Sequence, residues 1–322
     1  MNNVRNLKNK VCSGGSITRE EALSLVDAPL GELEEAANEI REEFCGNRFD
    51  LCTIVNGKCG KCSEDCKYCA QSAHYHTACE NSYPLLNTEE LLKGARHNKE
   101  QGVLRYSIVT SGRKLSDKEV DQVCESIRQI KKEVGIEVCV SFGLLDEAAF
   151  RKIKEAGASR VHCNLESSPR FFPEVCTTHT YEEKIETLKA AKRAGLSICS
   201  GGIMGLGETM EDRIDMVLTA RSLGVKSVPV NLLNPIPGTP YEKNRVLTND
   251  ELCRIVAIFR FLIPDGNIRL AGGRGLIGDK GVQCFKSGAN AAISGDMLTT
   301  AGITVPTDLD LLQGLGYSVT LP

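Results

Sequence analysis

Short apolar runs rich in β-branched residues alternate with longer amphipathic segments through most of the sequence. We interpret eight of these runs as strands, at residues 50–55, 103–109, 135–142, 159–165, 196–203, 226–233, 266–272 and 289–295. Six amphipathic segments predict helices, at residues 88–101, 116–134, 146–157, 180–195, 209–224 and 248–262. Repeated β–α units predict a parallel sheet, and eight of them predict a closed barrel.

The first part of the sequence follows a different pattern. Residues 17–46 predict two short amphipathic helices, and the spacing of Thr18 and Glu21 predicts a capping box at the start of the first. We therefore expect an α/β protein with an N-terminal helical extension at 1–46 and a single (βα)8 TIM-type barrel at 47–322. A doubly wound open sheet is the competing architecture, but no G-x-G-x-x-G follows the first strand.

Composition and charge narrow the classes of function. The sequence has 322 residues, with 39 lysines and arginines against 42 aspartates and glutamates, so its formal net charge is −3. We find no basic stripe for nucleic acid, no apolar run long enough to span a membrane, and no apolar core of a signal peptide at the start. We therefore expect a cytoplasmic protein, in which thiols stay reduced. Its 15 cysteines then indicate metal ligation rather than disulfides.

Three cysteines lie close together just after the first predicted strand, in CSEDCKYC at residues 62–69. This C-x3-C-x2-C array falls in the first βα loop, on the face of a barrel where active sites lie. With Cys59 the array also contains two C-x-x-C pairs, so a zinc knuckle is the alternative. Zinc ribbons separate their pairs by roughly 12–20 residues, however, and this spacing is closer to compact iron–sulfur arrays. Three thiolates on a four-iron cube leave one iron free to bind a substrate or cofactor.

The array resembles the signature of the radical S-adenosylmethionine superfamily. The resemblance implies that Cys62, Cys66 and Cys69 hold a 4Fe–4S cluster whose open iron binds the methionine moiety of S-adenosylmethionine. One electron then cleaves a C–S bond of that cofactor and yields a 5′-deoxyadenosyl radical. Tyr68, next to the last ligand, matches the aromatic residue of the superfamily that stacks on adenine.

Six further segments resemble the biotin synthase family, in the same order and over nearly the whole sequence. They are TSGR at 110–113, NLESS at 164–168, TTHTY at 177–181, CSGGIMGLGET at 199–209, NPIPGTP at 234–240 and IRLAGGR at 268–274. The resemblance implies insertion of sulfur between C6 and C9 of dethiobiotin, with one S-adenosylmethionine consumed for each C–H bond broken. It also implies a homodimer, a flavodoxin- or ferredoxin-type reductant, and the iron–sulfur assembly machinery as partners.

The family form carries an auxiliary 2Fe–2S cluster as sulfur donor, held by three cysteines and one arginine. Cys139, Cys199 and Arg269 match three of these ligands and fall on the third, fifth and seventh predicted strands. Alternate strands of a barrel contribute to one interior layer, so these side chains can converge. The remaining family cysteine is replaced by Ser107, and a hydroxyl is a poor iron ligand beside thiolates.

A different thiol is then expected to complete the auxiliary site. Cys176, in the loop region after the fourth strand, is our candidate, because the usual family form has no cysteine there. Cys163 is the alternative, but strand alternation should point it away from the interior that Asn164 faces. Three thiolates favour a four-iron auxiliary cluster with an extra sulfide on its open iron over a 2Fe–2S cluster.

Residues near the strand ends match the family's binding pocket. The resemblance assigns Asn164, Glu166, Lys184 and Ile203 to S-adenosylmethionine, and His162 and Asn231 to the ureido ring of dethiobiotin. Glu166 stands where the family has aspartate, and a carboxylate still accepts two hydroxyl hydrogen bonds. Lys184 replaces an arginine and keeps its charge without the fork geometry. His162 replaces an asparagine, so the substrate contacts depart from the family pattern there.

Two other interpretations of function stay open at this point. A different radical enzyme of the same branch, hydrogenase-maturase-like or methylornithine-forming, would share the array and the barrel without a converging auxiliary site. An iron–sulfur electron carrier or scaffold would not need a cofactor pocket. The remaining cysteines we interpret as structural or incidental: Cys12, Cys45, Cys52, Cys59, Cys79, Cys124, Cys253 and Cys284.

Overall fold

The computed structural model describes residues 3–77 and 82–321, so Cys79 lies outside the described residues. The strands of the described part are β1 (Arg48–Lys58), β2 (Arg105–Thr110), β3 (Glu137–Ser141), β4 (Arg160–His162), β5 (Ser197–Cys199), β6 (Gly202–Met204), β7 (Ser227–Leu232), β8 (Asn267–Leu270), β9 (Ala291–Ser294) and β10 (Ser318–Val319). Every strand predicted from the sequence is present, although most are shorter than predicted.

The helices precede the strands or alternate with them. They are α1 (Asn3–Cys12), α2 (Arg19–Leu23), α3 (Leu30–Cys45), α4 (Thr88–Glu100), α5 (Asp117–Glu133), α6 (Glu147–Glu155), α7 (Phe172–Val175), α8 (Tyr181–Arg193), α9 (Met210–Ser222), α10 (Asn249–Leu262), α11 (Val282–Lys286) and α12 (Val305–Gly314). A short 3-10 helix follows β8 at Arg274–Leu276. All six predicted barrel helices are present, as α4, α5, α6, α8, α9 and α10.

The strands form one parallel sheet in the order β5-β4-β3-β2-β1-β9-β8-β7-β6, and β10 pairs with the start of β1. Only Ser200 and Gly201 separate β5 from β6, so the two are halves of one broken strand. The first half pairs with β4 and the second with β7, and a bridge joins Glu166 to Gly202. The sheet therefore closes on itself, and the predicted (βα)8 barrel is confirmed.

Side-chain caps explain where the barrel helices begin. A capping box opens each of α4, α5, α8, α9 and α10, with N-cap residues Asn87, Ser116, Thr180, Thr209 and Thr248 respectively. Each N-cap oxygen accepts a hydrogen bond from a backbone N–H of the first turn, which would otherwise lack a partner. The box predicted for Thr18 and Glu21 is also present and opens α2.

The N-terminal extension contains three helices rather than the two predicted, because α1 also forms. α3 buries Leu33, Ala37 and Ile40 and packs against α10, while α2 packs against α9. The extension is therefore attached to the outer helical layer of the barrel and leaves the ends of the strands open. Among the described helices, none combines the length and the apolar character needed to cross a membrane.

Candidate functional site

A cavity of about 410 Å³ opens where the barrel strands end and the following loops begin. The predicted site residues that line it are Cys62, Cys66, Tyr68, Cys69, His162, Asn164, Glu166, Lys184, Ile203 and Asn231. Its volume suits a cofactor or a small substrate. Residues assigned from five separate segments of the sequence therefore line one cavity.

The cysteine array lies in a loop that is held by its own backbone. The amide of Cys62 donates to Gln71 O at 2.9 Å, the amide of Ala73 donates to Cys62 O at 2.8 Å, and the amide of Cys69 donates to Cys66 O at 2.9 Å. The amide of Gly112, from the loop after β2, donates to the sulfur of Cys62 at 3.3 Å. The loop thus presents its three thiols to the cavity with their backbone already ordered, which suits a cluster with one open iron.

The loop after α7 binds Glu64 and Asp65, the two acidic residues that lie between Cys62 and Cys66. The amides of Thr177 and Thr178 donate to Oδ1 of Asp65 at 2.8 and 3.1 Å. Nδ1 of His179 lies 2.6 Å from Oε2 of Glu64, and Oγ1 of Thr178 lies 2.9 Å from the same oxygen. These bonds outweigh partial burial and lower the pKa of both Glu64 and Asp65. The TTHTY segment therefore fixes the loop that carries the array.

Cys176 is placed differently from our prediction. Its sulfur, that of Cys66 and a ring nitrogen of His179 lie within 4.8 Å of one another, and its thiol also contacts Oδ1 of Asp65 at 3.2 Å. The hydrogen bonds of this thiol include neither Cys139 nor Cys199 within the part of the chain that the structure describes. The structure therefore brings Cys176 to the array. The reason is that α7 ends at Val175, whose carbonyl accepts from the amide of Lys67 at 2.9 Å.

The pocket predicted for S-adenosylmethionine is built around Glu166. Its backbone has φ 68°, and its amide and carbonyl bond to Gly201 O and Ile203 N at 3.0 Å each, which extends the barrel pairing beyond β4. Burial raises the pKa of Glu166, and Tyr68 lines the same cavity. The ammonium of Lys184 contributes the positive charge of this region. A carboxylate, a cation and an aromatic ring thus line the cavity close to the array.

The two residues predicted to bind dethiobiotin differ in how many of their side-chain hydrogen-bonding groups already have a partner in the protein. Nδ2 of Asn231 donates to Gly202 O at 3.0 Å, and its Oδ1 accepts from the amide of Gly272 at 2.9 Å. One N–H and one lone pair of Asn231 are left for a ligand. His162 lines the cavity with Nε2 buried and unpartnered among the described residues. Burial lowers its pKa to about 3, so its imidazole is neutral.

A second group of thiols lies deeper in the barrel. Ile54 and Ser141 line the cavity, and Cys52 and Cys139 stand two positions earlier on the same strands, β1 and β3. Alternate residues of a strand face the same side, so these two thiols lie one layer beneath the cavity. Cys199, on β5, is fully buried with them, and burial raises the pKa of all three thiols, that of Cys52 to about 11.

Cys52 was missed by the sequence reasoning, which interpreted it as incidental. Nη1 of Arg269 donates to its sulfur at 3.2 Å, so Cys52 joins the predicted pair Cys139 and Cys199 beside this guanidinium. Ser107 pairs directly with Cys139 in the β2–β3 register and is fully buried, with its hydroxyl unpartnered among the described residues. The alternation of Asp50, Cys52 and Ile54 toward the interior of β1 was the signal that could have revealed the third thiol.

The buried charged residues around this second group of thiols favour the binding of a negatively charged group there. The carboxylate of Asp50 lies within 3.0 to 3.3 Å of guanidinium nitrogens of Arg105, Arg160 and Arg269, and all four residues are buried. Nε of Arg160 has no hydrogen-bond partner in the described structure. Three cations against one anion leave a buried positive excess, which is costly unless further negative charge is bound. Thiolates holding an iron–sulfur cluster supply that charge, so these residues fit such a group.

Two of the remaining cysteines pair with each other on helices of the outer layer. Cys253 and Cys284 are buried together with their sulfurs 3.5 Å apart, outside the barrel interior on α10 and α11. The alternation argument for Cys163 is wrong, because β4 ends at His162 and Cys163 lines the cavity.

Comparisons with known proteins agree with this geometry. The profile of the Radical SAM superfamily matches residues 58–220, and that of the Biotin and Thiamin Synthesis associated domain matches residues 229–318. Methylornithine synthase shares the fold with a TM-score of 0.84 at 21% identity, over 98% of this chain and 97% of that one. The FeFe-hydrogenase maturase of Carboxydothermus hydrogenoformans has a TM-score of 0.83 at 19% identity, over 98% of this chain and 78% of that one. Fold and array together define a radical S-adenosylmethionine enzyme.

Closely similar sequences narrow the class further. Biotin synthase 2 of Corynebacterium diphtheriae is 57% identical over 321 residues, which cover 100% of this chain and 97% of that protein. The biotin synthase of Akkermansia muciniphila is 58% identical over 321 residues, with 100% of both chains covered. The chain belongs to the biotin synthase family.

Proposed function

We propose that this chain is a biotin synthase, which inserts sulfur between C6 and C9 of dethiobiotin and uses S-adenosylmethionine as its source of radicals. The observation that carries the proposal is the pair of thiol groups on one axis of the barrel. The upper group is Cys62, Cys66 and Cys69, and the lower group is Cys52, Cys139 and Cys199. Substrate in the cavity between them would contact both the radical source and the sulfur donor. An electron carrier or scaffold has no use for such an enclosed space.

The upper group holds the 4Fe–4S cluster that binds and reduces S-adenosylmethionine. Tyr68, Asn164, Glu166, Lys184 and Ile203 bind the rest of that cofactor, since all five line the cavity. The carboxylate of Glu166 is suited to accept hydrogen bonds from ribose hydroxyls, because burial strengthens such bonds. The ring of Tyr68 offers an apolar face to adenine.

The lower group holds the auxiliary cluster, which supplies the sulfur atom when bound. Arg269 acts there as a cation: its Nη1 donates to the carbonyls of Asp50 and Ala292 at 2.9 and 3.0 Å, and its Nη2 pairs with the carboxylate of Asp50. A protonated guanidinium has no lone pair to give to iron. Cys52, Cys139 and Cys199 are then the ligands, and Cys176 is not among them. Three thiolates favour a four-iron cluster with an extra sulfide over a 2Fe–2S cluster.

The substrate is held in the cavity by His162 and the free hydrogen-bonding positions of Asn231. A cyclic urea presents both donors and an acceptor, which the neutral imidazole and the amide can match. The cavity walls exclude water from the reacting carbons. For the wider setting, we propose a cytoplasmic homodimer that receives electrons from a flavodoxin- or ferredoxin-type protein and clusters from the iron–sulfur assembly machinery.

Anaerobic turnover tests the function directly. Reconstituted protein is mixed with dithionite, S-adenosylmethionine and dethiobiotin, and the products are measured by mass spectrometry. We expect biotin and 5′-deoxyadenosine, and neither from Cys69→Ala. Production of 5′-deoxyadenosine without biotin would favour another radical enzyme of the branch, and absence of both would favour an electron carrier.

A further inference from the structure

We propose that Arg113 is a positioning residue for S-adenosylmethionine. Its guanidinium ties the loop of the cysteine array to the start of α8, which carries Lys184, and so fixes the spacing between the 4Fe–4S site and that cation. The inference rests on the proposed function, in which the array and Lys184 bind the same cofactor molecule. No step of the proposed reaction uses Arg113, although this residue lines the cavity.

The guanidinium of Arg113 bridges segments that are far apart in the sequence. Its Nη1 donates to Oε2 of Glu64 at 3.3 Å, in the loop of the array, and to the carbonyl oxygen of Thr178 at 2.6 Å. Its Nη2 pairs with Oε1 of Glu183, in the first turn of α8. The planar fork presents its N–H groups in fixed directions, so one side chain can hold all three acceptors at once. Arg113 thus connects the array with the loop after α7 and with α8.

The backbone of Arg113 is held by the loop after β3. The amide of Leu144 donates to the carbonyl oxygen of Arg113 at 2.8 Å, and Lys114 and Gly143 form an antiparallel bridge beside it. A Cβ atom on Gly143 would come within 2.1 Å of the same carbonyl oxygen, so the backbones of the two loops are in direct contact. The side chain therefore extends from an ordered base toward the groups that it bonds.

Both ends of this bridge adjoin residues that are proposed to bind the cofactor. Glu64 lies between Cys62 and Cys66, so a movement of its loop also moves the thiols. Glu183 is directly followed by Lys184, which lines the cavity and is 9% exposed. One cofactor molecule must reach both the open iron of the cluster and the ammonium of Lys184. A change in the spacing of these two groups therefore weakens its binding.

Two variants break the bridge from its two ends. Arg113→Gln removes the fork. Glu183→Gln removes the charge of the acceptor and keeps the capping box of α8, in which the amide of Thr180 donates to Oε2 of Glu183 at 2.8 Å, because glutamine also serves at that position. The matched control is Arg128→Gln, which breaks an exposed pair with Glu125 on α5.

Measurements on reconstituted proteins test the proposal. Iron and sulfide are counted in wild type, in the three single variants and in the double variant Arg113→Gln with Glu183→Gln. Binding of S-adenosylmethionine is measured by anaerobic equilibrium dialysis. Hydrogen exchange of residues 62–69 and 181–184 is followed by mass spectrometry in the same samples, because it reports the order of the two segments without turnover.

We expect Arg113→Gln and Glu183→Gln each to raise the dissociation constant for S-adenosylmethionine about fivefold at full cluster loading, the size expected of a partly exposed ion pair. The double variant should lose no more than Arg113→Gln alone, because the same link is broken in both. Exchange should become faster in both segments together. Arg128→Gln should match wild type in binding and in exchange.

Unchanged binding in a fully loaded Arg113→Gln protein would overturn the role of Arg113. Weaker binding in Arg113→Gln without weaker binding in Glu183→Gln, or losses that multiply in the double variant, would also overturn the bridge, because Arg113 would then act on the cofactor directly. A wild-type protein that holds no cluster able to bind S-adenosylmethionine would instead overturn the proposed function on which the inference rests.

Discussion

Nη1 of Arg269 lies 3.2 Å from the sulfur of Cys52, in the interior of the barrel. The arginine comes from β8 and the cysteine from β1, and β9 lies between these strands in the sheet. The guanidinium spans that strand because its interior neighbour Ala291 is small. The contact places a third thiol beside Cys139 and Cys199, in a layer where this chain has Ser107 at the β2 position that is a cysteine in the usual family form.

Replacing Cys52 by alanine should remove the auxiliary cluster and spare the other one. We expect iron and sulfide counts to fall to those of a single 4Fe–4S cluster. Biotin formation should fall by about 100-fold or more, because a cluster ligand is lost. Reductive cleavage of S-adenosylmethionine should continue, since the upper thiols are unchanged. Equal metal content in Cys52→Ala and wild type would show that Cys52 is not a ligand.

A cysteine introduced at Ser107 should supply the third thiol from β2, the strand that carries it in the usual family form. This serine pairs with Cys139 in register and is fully buried, so a cysteine there would face the same interior layer. We expect the double variant Cys52→Ala with Ser107→Cys to recover auxiliary iron relative to Cys52→Ala alone. Recovery is measured by metal analysis and Mössbauer spectroscopy. No recovery, in a protein that unfolds like wild type, would mean that the layer cannot accept a ligand from β2.

Local signals explain why the elements of this fold could be predicted. The barrel helices begin at side-chain caps and their first residues are visible in the sequence, as with Asn87, Ser116 and Thr209. The array lies in the loop after β1, and most pocket residues lie near the carboxyl ends of strands or just after them. A closed parallel barrel brings all these positions to one face. The lining of the cavity by Tyr68 and Asn231 follows from topology alone.

The partners of individual thiols could not be predicted in this way. Cys52 contacts Arg269 because of the register between β1, β9 and β8, which no local pattern records. Cys176 lies beside Cys66 because the loop after α7 bonds to the loop of the array, over more than a hundred residues of sequence. The resemblance to the family indicated where the two thiol sites lie in the sequence. Contacts between residues distant in sequence determine whether a given cysteine lies at the array or at the deeper site.

Asp212 should make the stability of the fold depend on acidity. Burial alone would raise its pKa, but hydrogen bonds from Arg170, Ser168 and Thr209 outweigh burial and lower it to about 2. The charged form therefore stabilises the native state by about 2 kcal/mol above pH 4, and this contribution is lost as the pH falls toward 2. Asp212→Asn should unfold at lower urea concentration at pH 7, with a difference from wild type that shrinks as the pH is lowered.

Asp265 is the matched control for Asp212. It pairs with Lys226 on the surface, where both side chains are about half exposed or more. Such pairs contribute about 0–1 kcal/mol, so Asp265→Asn should unfold almost like wild type at every pH. A pH-independent loss of stability in Asp212→Asn would show that its carboxylate charge is not what stabilises the start of α9.

Gly202 should control the geometry of Glu166. A Cβ atom on Gly202 would come within 2.3 Å of the carbonyl oxygen of Glu166, which is backbone and cannot move aside cheaply. We expect Gly202→Ala to displace Glu166 from its left-handed conformation and to weaken S-adenosylmethionine binding by about tenfold or more, since misplacement of a buried hydrogen-bonding group costs about 1–3 kcal/mol. Anaerobic equilibrium dialysis against labelled S-adenosylmethionine measures the change. Gly31→Ala, on α3 with no atom within 4 Å of the added Cβ, should bind as wild type does. Unchanged binding in a fully loaded Gly202→Ala protein would mean that Glu166 does not hold the cofactor.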